Sequence, residues 1–152
     1  MRYDIVVDAN DKILGRLASF VAKQLLLGRR VAVVNAEKAV ISGNPNTIVA
    51  KYVMRRSIEG KPRPERGPKW PKTPDRIVWK AIRGMLPMKK AKGREALRRL
   101  RVFIGVPEEL QNVEFHELAP EYSKENLKPK KRRKYITVYE LSKSLGWRGE
   151  IA

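Results

Sequence analysis

Lysine and arginine are the residues of this sequence whose number and spacing indicate a chemistry. Residues 55–101 contain 17 basic and 4 acidic residues, which gives a net charge of +13 out of the +18 of the whole chain. Five of the ten prolines lie in the same stretch, between Pro62 and Pro74. A segment this basic and this rich in proline repels itself and does not build an ordinary core. An external polyanion must neutralise it, and nucleic acid is the polyanion that fits this requirement best.

The candidate contacts are basic side chains of this stretch, those of a second basic run near the carboxyl end, and one tryptophan. Lys and Arg bind phosphates without reading the base sequence, whereas Arg and Trp also stack on unpaired bases. The candidate residues are Arg55, Arg56, Lys61, Arg63, Arg66, Lys69, Trp70, Lys72, Arg76, Lys80, Arg83, Lys89, Lys90, Lys92, Arg94, Arg98, Lys130, Lys131, Arg132 and Arg133.

Alternatives stay open for these residues. The basic stretch is alternatively a solvated loop that keeps the protein soluble, although arginines interleaved with Trp and Pro suit a bound surface better. Trp70 either stacks on a base or pins its loop onto the body of the protein. Trp79 is predicted to share a helical face with Arg83, so a cation–π pair between them is its simpler role.

Composition argues against most other chemistry. The chain has no cysteine, which excludes disulfides, thiol nucleophiles and zinc sites built on cysteine. Its one histidine, His116, has no partner pattern for a general base and argues against a transition-metal site. No apolar run approaches the roughly 20 residues that span a bilayer, and Asp8 ends the first apolar stretch too early for a secretory signal. We expect a cytoplasmic protein with no cofactor, no membrane partner and no small-molecule substrate.

A strand, a helix and a second strand precede the basic stretch. Tyr3–Val7 is a short β-branched run, and Asp8–Asp11 is interpreted as a turn that supplies helix caps. A helical apolar face follows and ends at Gly28. Val31–Val34 is a continuous apolar run that suits a buried parallel strand, so the order predicts a right-handed βαβ unit in an α/β domain. The apolar face of the helix comprises Ile13, Leu14, Leu17, Phe20, Val21 and Leu25.

This beginning raises the alternative of a nucleotide-dependent enzyme. Asn10–Gly15 contains one glycine rather than the G-x-G-x-x-G pattern that lets a backbone approach a pyrophosphate. Gly15 is therefore interpreted as a packing contact inside the helix. Ser42–Asn44 is an anion-binding turn or the cap of the next helix, and these two roles are compatible. Stabilisation by NAD or ATP in a thermal shift assay would favour the enzyme.

Three more helices and a strand are predicted downstream. A cap residue followed by proline, at Asn44-Pro45 and again at Thr73-Pro74, starts a second and a third helix. A short helix is predicted over Arg94–Leu100, with Arg98 and Arg99 pointing outward, and a strand over Arg101–Val106. The apolar faces are Ile48, Val49, Tyr52 and Val53 on the second helix and Ile77, Val78, Ala81, Ile82 and Met85 on the third.

The last third of the chain changes character twice. Val102–Leu127 contains six acidic residues against one lysine, and is interpreted as irregular chain that wraps the surface. Lys128–Lys134 is basic at six of its seven positions. Thr137–Glu140 matches a capping box, which predicts a last helix over Val138–Leu145 that ends at Gly146.

Short motifs occur along nearly the whole chain. They are Leu14–Ala18, Val21–Gln24, Val33–Glu37, Ile41–Asn44, Arg66–Pro68, Pro74 with Arg76, Ile77 and Trp79, Arg83–Pro87, Gly93 with Ala96, Leu97, Arg99, Leu100, Val102, Phe103 and Gly105, Leu127–Pro129 and Gly146–Trp147. Together they resemble the large-subunit ribosomal protein family L-thirteen, in its archaeal and eukaryotic branch. Arg83–Pro87 is highly specific in this context. The motifs do not fix which residues contact RNA, so the candidate residues depend on charge and placement.

The resemblance implies a three-layer α/β domain with a mostly parallel sheet of about four strands between helices. Residues 1–152 would form a single ribosomal-protein domain, with residues 55–73 and 128–134 as basic extensions. The resemblance also implies a structural constituent of the large ribosomal subunit that binds and stabilises large-subunit rRNA during assembly and in the mature ribosome, without catalysis. Neighbouring ribosomal proteins would be further partners. A regulatory RNA-binding protein that acts off the ribosome is the alternative, and sedimentation distinguishes the two.

Overall fold

The computed structural model describes residues 3–57, 71–116, 118 and 134–149. Within these residues, three parallel strands pair in the order β1-β2-β4 and two antiparallel strands, β3 and β5, form a second sheet. The elements in chain order are β1 (Ile5–Asp8), α1 (Leu14–Leu26), β2 (Val31–Val34), β3 (Val40–Ser42), α2 (Pro45–Ser57), α3 (Pro74–Arg83), α4 (Ala91–Arg98), β4 (Leu100–Val102), β5 (Tyr135–Thr137) and α5 (Val138–Ser144). The predicted α/β class with a mostly parallel sheet is confirmed.

The predicted βαβ unit is present as β1, α1 and β2. Strand β1 pairs with β2 in parallel, with Ile5 opposite Val31. Helix α1 ends before Gly28, whose φ of 92° is the left-handed conformation that glycine adopts at low cost. The helix caps expected from Asp8–Asp11 are wrong, because Ile13 is the N-cap residue and no side chain caps it. The Asp8 carboxylate instead accepts hydrogen bonds from Asn10 N and Asn35 Nδ2, at 2.9 Å each.

The prediction for Gly15 is also wrong. Gly15 is exposed, and a Cβ atom added there would find nothing within 4 Å. Its position on the solvent side of α1 follows from the periodicity of the helix, because Leu14, Leu17 and Ala18 take the buried side. Gly15 therefore makes no packing contact that would require a glycine.

Alternating side chains of the parallel sheet separate two hydrophobic clusters. Val7, Val31 and Val33 lie in the larger cluster, which also contains buried residues of α1, α3, α4 and α5. Val6 lies in the smaller cluster with Ala32, Val34, Leu110 and the partly buried Phe103 and Phe115. The second face of the sheet is thus covered by chain after β4, as expected of an irregular wrap.

The parallel sheet has three strands, where about four were expected. Strand β4 ends at Val102, since Gly105 turns the chain at a φ of 67° and donates its N–H to Glu37 Oε2 at 2.9 Å. At the β1 edge, His116 forms one isolated parallel bridge with Val7 and donates its N–H to Val6 O at 2.8 Å. A single bridge occupies the place where a fourth strand would pair.

The sequence did not predict the second sheet. Strands β3 and β5 pair antiparallel, with Val40 opposite Thr137 and Ser42 opposite Tyr135. The helix that follows begins as predicted, because Glu140 N donates to Thr137 Oγ1 at 3.1 Å, and Gly146 ends it with a φ of 99°. The sheet joins the last helix to the region around the start of α1, where Ile13 bridges Val40.

Candidate nucleic-acid interface

The candidate residues divide into a described and an undescribed group. Eleven lie in the described part of the chain, and all of them are half-buried or exposed. Nine lie outside the described residues, namely Lys61, Arg63, Arg66, Lys69, Trp70, Lys130, Lys131, Arg132 and Arg133. The eleven, which we call the basic face, are Arg55, Arg56, Lys72, Arg76, Lys80, Arg83, Lys89, Lys90, Lys92, Arg94 and Arg98.

Helix α2 carries the first two members of the basic face at its carboxyl end. Its start is capped as predicted, since Asn44 Oδ1 accepts the N–H of Asn46 at 3.0 Å. The guanidinium of Arg55 lies over the Tyr52 ring, 5.5 Å from its centroid. Burial raises the pKa of Tyr52, and the Arg55 charge opposes part of that effect. The helix therefore presents a neutral aromatic ring beside a fixed cation.

Helix α3 is amphipathic, and this fixes the direction of its three candidate residues. Ile77, Val78 and Ile82 are buried in the larger cluster. Arg76, Lys80 and Arg83 therefore fall on the remaining arc of the helix, together with the half-buried Trp79. The cation that lies over Trp79 is Arg76, at 4.2 Å from the ring centroid, rather than Arg83 as expected. Arg76 is three residues before Trp79, and side chains at that spacing meet on a helix as readily as those four apart.

Helix α4 begins at Ala91, three residues earlier than expected, and carries a dense group of exposed cations. Gly93 and Ala96 are its buried residues. A Cβ atom at Gly93 would overlap the backbone carbonyl of Pro87, so the glycine lets the preceding turn lie directly against the helix. This contact positions the exposed Lys89, Lys90, Lys92 and Arg94 along the turn and the helix.

Arg99 does not point outward as predicted. It is half-buried, and its Nη2 donates to the backbone carbonyl of Leu25 at 3.0 Å, near the carboxyl end of α1. Its Nε is buried and has no hydrogen-bond partner within the described residues. A cation at a helix carboxyl end is favourable, because the unpaired carbonyls there carry partial negative charge. Arg99 therefore connects α4 to α1, while its neighbour Arg98 stays exposed.

The other candidate groups have structural roles. His116 stacks on Phe20 with ring centroids 5.3 Å apart. Gly43 N donates to Lys134 O at 2.9 Å, so this N–H of the Ser42–Asn44 turn is used within the protein. Within the described ranges, no group of three His, Cys, Asp or Glu residues is placed to hold a metal ion. None of the helices described is long and apolar enough to cross a membrane.

Comparison with known proteins places the chain in a family. The sequence model of the family described as Ribosomal protein L13 matches residues 2–109. A protein of Archaeoglobus fulgidus named large ribosomal subunit protein uL13 is 48% identical over 144 residues, covering 95% of this chain and 88% of the relative. Proteins of the same name from Aeropyrum pernix and Methanocaldococcus jannaschii are 46% and 45% identical, and cover 97% and 93% of this chain and 93% and 96% of themselves.

The chain belongs to the Ribosomal protein L13 family. The resemblance described from the motifs is thereby confirmed. Membership makes the chain a structural component of the large ribosomal subunit and not an enzyme, so the nucleotide-dependent alternative is excluded. The missing glycine fingerprint after β1 agrees with this result.

Several surface residues near the basic face were not among the candidates predicted from the sequence. Lys51 is exposed on α2, four residues before Arg55, and that spacing alone places the two cations on one side of the helix. Arg101 is exposed on β4 and lines a small cleft with Arg76 and Trp79, as the alternation of the strand predicts. Tyr52 and Met85, assigned to apolar faces, line a cleft that contains candidate cations. Only the packing of α2 near α3 brings these groups together.

Proposed function

We propose that the chain binds large-subunit rRNA through the basic face and the basic extensions 55–73 and 128–134. In this role it stabilises the folded rRNA during assembly and in the mature ribosome, as a single domain in the cytoplasm. Neighbouring ribosomal proteins share its surroundings and are further partners. No chemical step is part of this function.

One observation carries the proposal. Helices α3 and α4 bury their other sides and α2 packs through partly buried apolar residues, while the eleven cations of the basic face stay half-buried or exposed along a segment of net charge +13. A free protein gains nothing from this arrangement, because like charges at close spacing repel one another. Phosphates of a folded RNA remove the repulsion and release counterions on binding.

Salt titration tests the proposal with the full-length chain and large-subunit rRNA. If about six to ten basic residues meet phosphates, the affinity should fall roughly 10³- to 10⁵-fold between about 50 and 200 mM salt. A variant with Arg55, Arg56, Arg63 and Arg66 changed to Ala should bind more weakly and show a smaller salt slope. The variant should remain folded, since these positions lie outside the apolar faces and their mutual repulsion is relieved.

A matched control removes the same charge elsewhere. Lys23, Arg30, Lys38 and Arg148 are exposed and lie outside residues 55–101. Changing these four to Ala should leave most of the salt slope in place. An equal loss of slope in both variants would show that binding follows total charge and not the basic face. In cells, the protein should also sediment with large subunits in high-salt gradients, and a purely free pool would contradict the proposal.

A further inference from the structure

A cleft of about 370 Å³ opens where α2 approaches the carboxyl end of α3. This volume lies in the range of sites that enclose small molecules, about 300–1,000 Å³. Its walls are largely apolar, and one of them, Met85, remains 45% exposed. The lining residues, which we call the basic cleft, are Tyr52, Arg55, Pro71, Ile77, Lys80, Ala81, Gly84 and Met85.

Two cations and an aromatic ring share this apolar cleft. Arg55 comes from α2, with its guanidinium over the Tyr52 ring, and Lys80 comes from α3. Burial keeps the Tyr52 phenol neutral well above physiological pH, since its pKa is raised from the ordinary value. A matching ligand would combine a flat apolar group with negative charge. A nucleotide has this combination, with its base and its phosphate.

We propose that the basic cleft takes one unpaired nucleobase of the rRNA, stacked against Tyr52, with its phosphate beside Arg55 and Lys80. The inference rests on the proposed rRNA binding and adds a site to it. Paired bases cannot enter the cleft, because their faces are covered within the duplex. The site therefore recognises a loop, a bulge or a junction, where bases are free to leave the stack.

Charge favours a nucleotide over a protein side chain as the occupant. An apolar side chain of a neighbouring protein would fill the cleft, but it would not match the positive charge that Arg55 and Lys80 bring to its lining. The segment around the cleft has a net charge of +13, and RNA is the partner that the proposed function brings to it. The structure thus combines the two features that single-stranded RNA sites use, a stacking ring and nearby cations.

Filling the cleft without changing its charge tests the proposal. Ala81 is half-buried and lines the cleft, so Ala81→Phe should occupy the space of the base. The affinity of the full-length chain for large-subunit rRNA should fall roughly 5- to 150-fold, the range for loss of one stacked base. The salt slope should fall by no more than about one unit, because at most the phosphate contact of this one nucleotide is lost. The control is Met54→Phe, since Met54 is 60% exposed on α2 and does not line the cleft.

A second variant guards against misfolding of Ala81→Phe. Tyr52→Leu keeps a large apolar side chain and removes the ring, and it should also lower the affinity with a change of no more than about one unit in the salt slope. Ultraviolet crosslinking of the parent complex, followed by mass spectrometry, should place a nucleotide on Tyr52 or Met85. Circular dichroism and melting curves show whether each variant remains folded.

The outcomes separate this inference from the proposed function. If the parent shows no salt-dependent rRNA binding, the proposed function fails and the cleft inference fails with it. If the parent binds and both folded cleft variants bind equally well, the cleft inference alone is overturned. If these variants bind rRNA normally but yield large subunits that lack a neighbouring protein, the occupant is a protein side chain, which also overturns it.

Discussion

Two clefts of similar size carry opposite charge. The basic cleft between α2 and α3 contains Arg55 and Lys80, whereas a cleft of about 440 Å³ at the β1 edge contains Asp4 and Glu114. The second, which we call the acidic cleft, is lined by Asp4, Ile5, Val6, Glu114, Phe115 and His116. Both are concave and include an aromatic side chain, but the walls of the basic cleft are mainly apolar, whereas those of the acidic cleft are mainly polar.

We expect charge, rather than concavity, to decide which of the two clefts binds RNA. Carboxylates repel a phosphate chain, while Arg and Lys attract it and gain from counterion release. The division follows the chain, because residues 55–101 carry a net charge of +13, whereas the described chain after β4 contributes Glu108, Glu109 and Glu114 to its own surface. We expect the acidic cleft to repel RNA from this edge of the sheet.

The largest expected effect is on rRNA affinity, and it compares changes in the basic face with changes in the acidic cleft. Changing Lys89, Lys90, Lys92 and Arg94 to Ala should weaken rRNA binding roughly 10³-fold near 0.1 M salt and reduce the salt slope by about three to four, since each of the four phosphate contacts contributes about 0.7–1 unit. Neutralising the acidic cleft with Asp4→Asn and Glu114→Gln should leave the affinity within about threefold of the parent. Filter binding over a salt series measures both variants. If the variant with Asp4→Asn and Glu114→Gln lost as much affinity, the acidic cleft would also contact RNA, and the proposed difference between the two surfaces would be wrong.

Core truncations should act on stability and spare the interface. Leu17 and Ile82 are fully buried in the larger cluster, so Leu17→Ala or Ile82→Ala should lower the free energy of unfolding by about 2–5 kcal/mol. Chemical denaturation measures this loss. At temperatures where the variants stay folded, rRNA affinity should match the parent. A folded Ile82→Ala variant with weak binding would show that α3 transmits packing defects to the basic face.

The fold was predictable where the residues of one short segment determine its local structure. The apolar run Val31–Val34 indicates a buried parallel strand, and the Thr137 hydroxyl caps α5 as its motif predicts. The β3–β5 sheet was not predictable, because its strands have three residues each and nearly a hundred residues separate them. Strands this short show no clear alternation, and their pairing depends on tertiary contacts.

The candidate site shows the same limit. Its charge is visible in composition, and amphipathic periodicity places Arg76 and Lys80 on the open side of α3. The basic cleft was not visible, because it needs α2 and α3 to approach each other across residues 58–70. Glu37 was also missed, although it is fully buried and accepts the Gly105 N–H that ends β4. A buried acid gives no periodic pattern in sequence, since its role depends on one distant backbone group.

Substituting two helical glycines should change the free energy of unfolding by smaller amounts, and in opposite directions. Gly15→Ala should raise the free energy of unfolding by about 0.5–1 kcal/mol, because the position is exposed, helical and open. Gly93→Ala should lower it by about 1–3 kcal/mol, because the new methyl group overlaps the Pro87 carbonyl. Thermal melts compare the two. Gly93→Ala should also weaken rRNA binding, since it displaces the turn that carries Lys89 and Lys90, whereas Gly15→Ala should not.

The smallest expected effect is a change in the pKa of two tyrosines, Tyr52 and Tyr3. It tests the difference in local charge around them in the absence of RNA. Burial raises the pKa of both Tyr52 and Tyr3. Near Tyr52 the Arg55 charge opposes the shift, whereas near Tyr3 the Glu109 charge adds to it and outweighs the opposing Arg101. A raised folded-state pKa means that the neutral phenol contributes stability below the unfolded pKa of 10.0. That contribution is lost as the pH rises through the folded pKa.

Salt should therefore move the two pKa values in opposite directions. Screening weakens the attraction between Arg55 and the Tyr52 tyrosinate, so the pKa of Tyr52 should rise with added salt. Screening also weakens the repulsion from Glu109, so the pKa of Tyr3 should fall. Carbon-13 NMR of labelled tyrosine, titrated at about 50 mM and 500 mM salt, resolves both groups, and Tyr52→Phe and Tyr3→Phe assign them. Shifts of the same sign would show that the net local charge has the same sign near Tyr52 and near Tyr3, which would contradict the electrostatic difference described for these two positions.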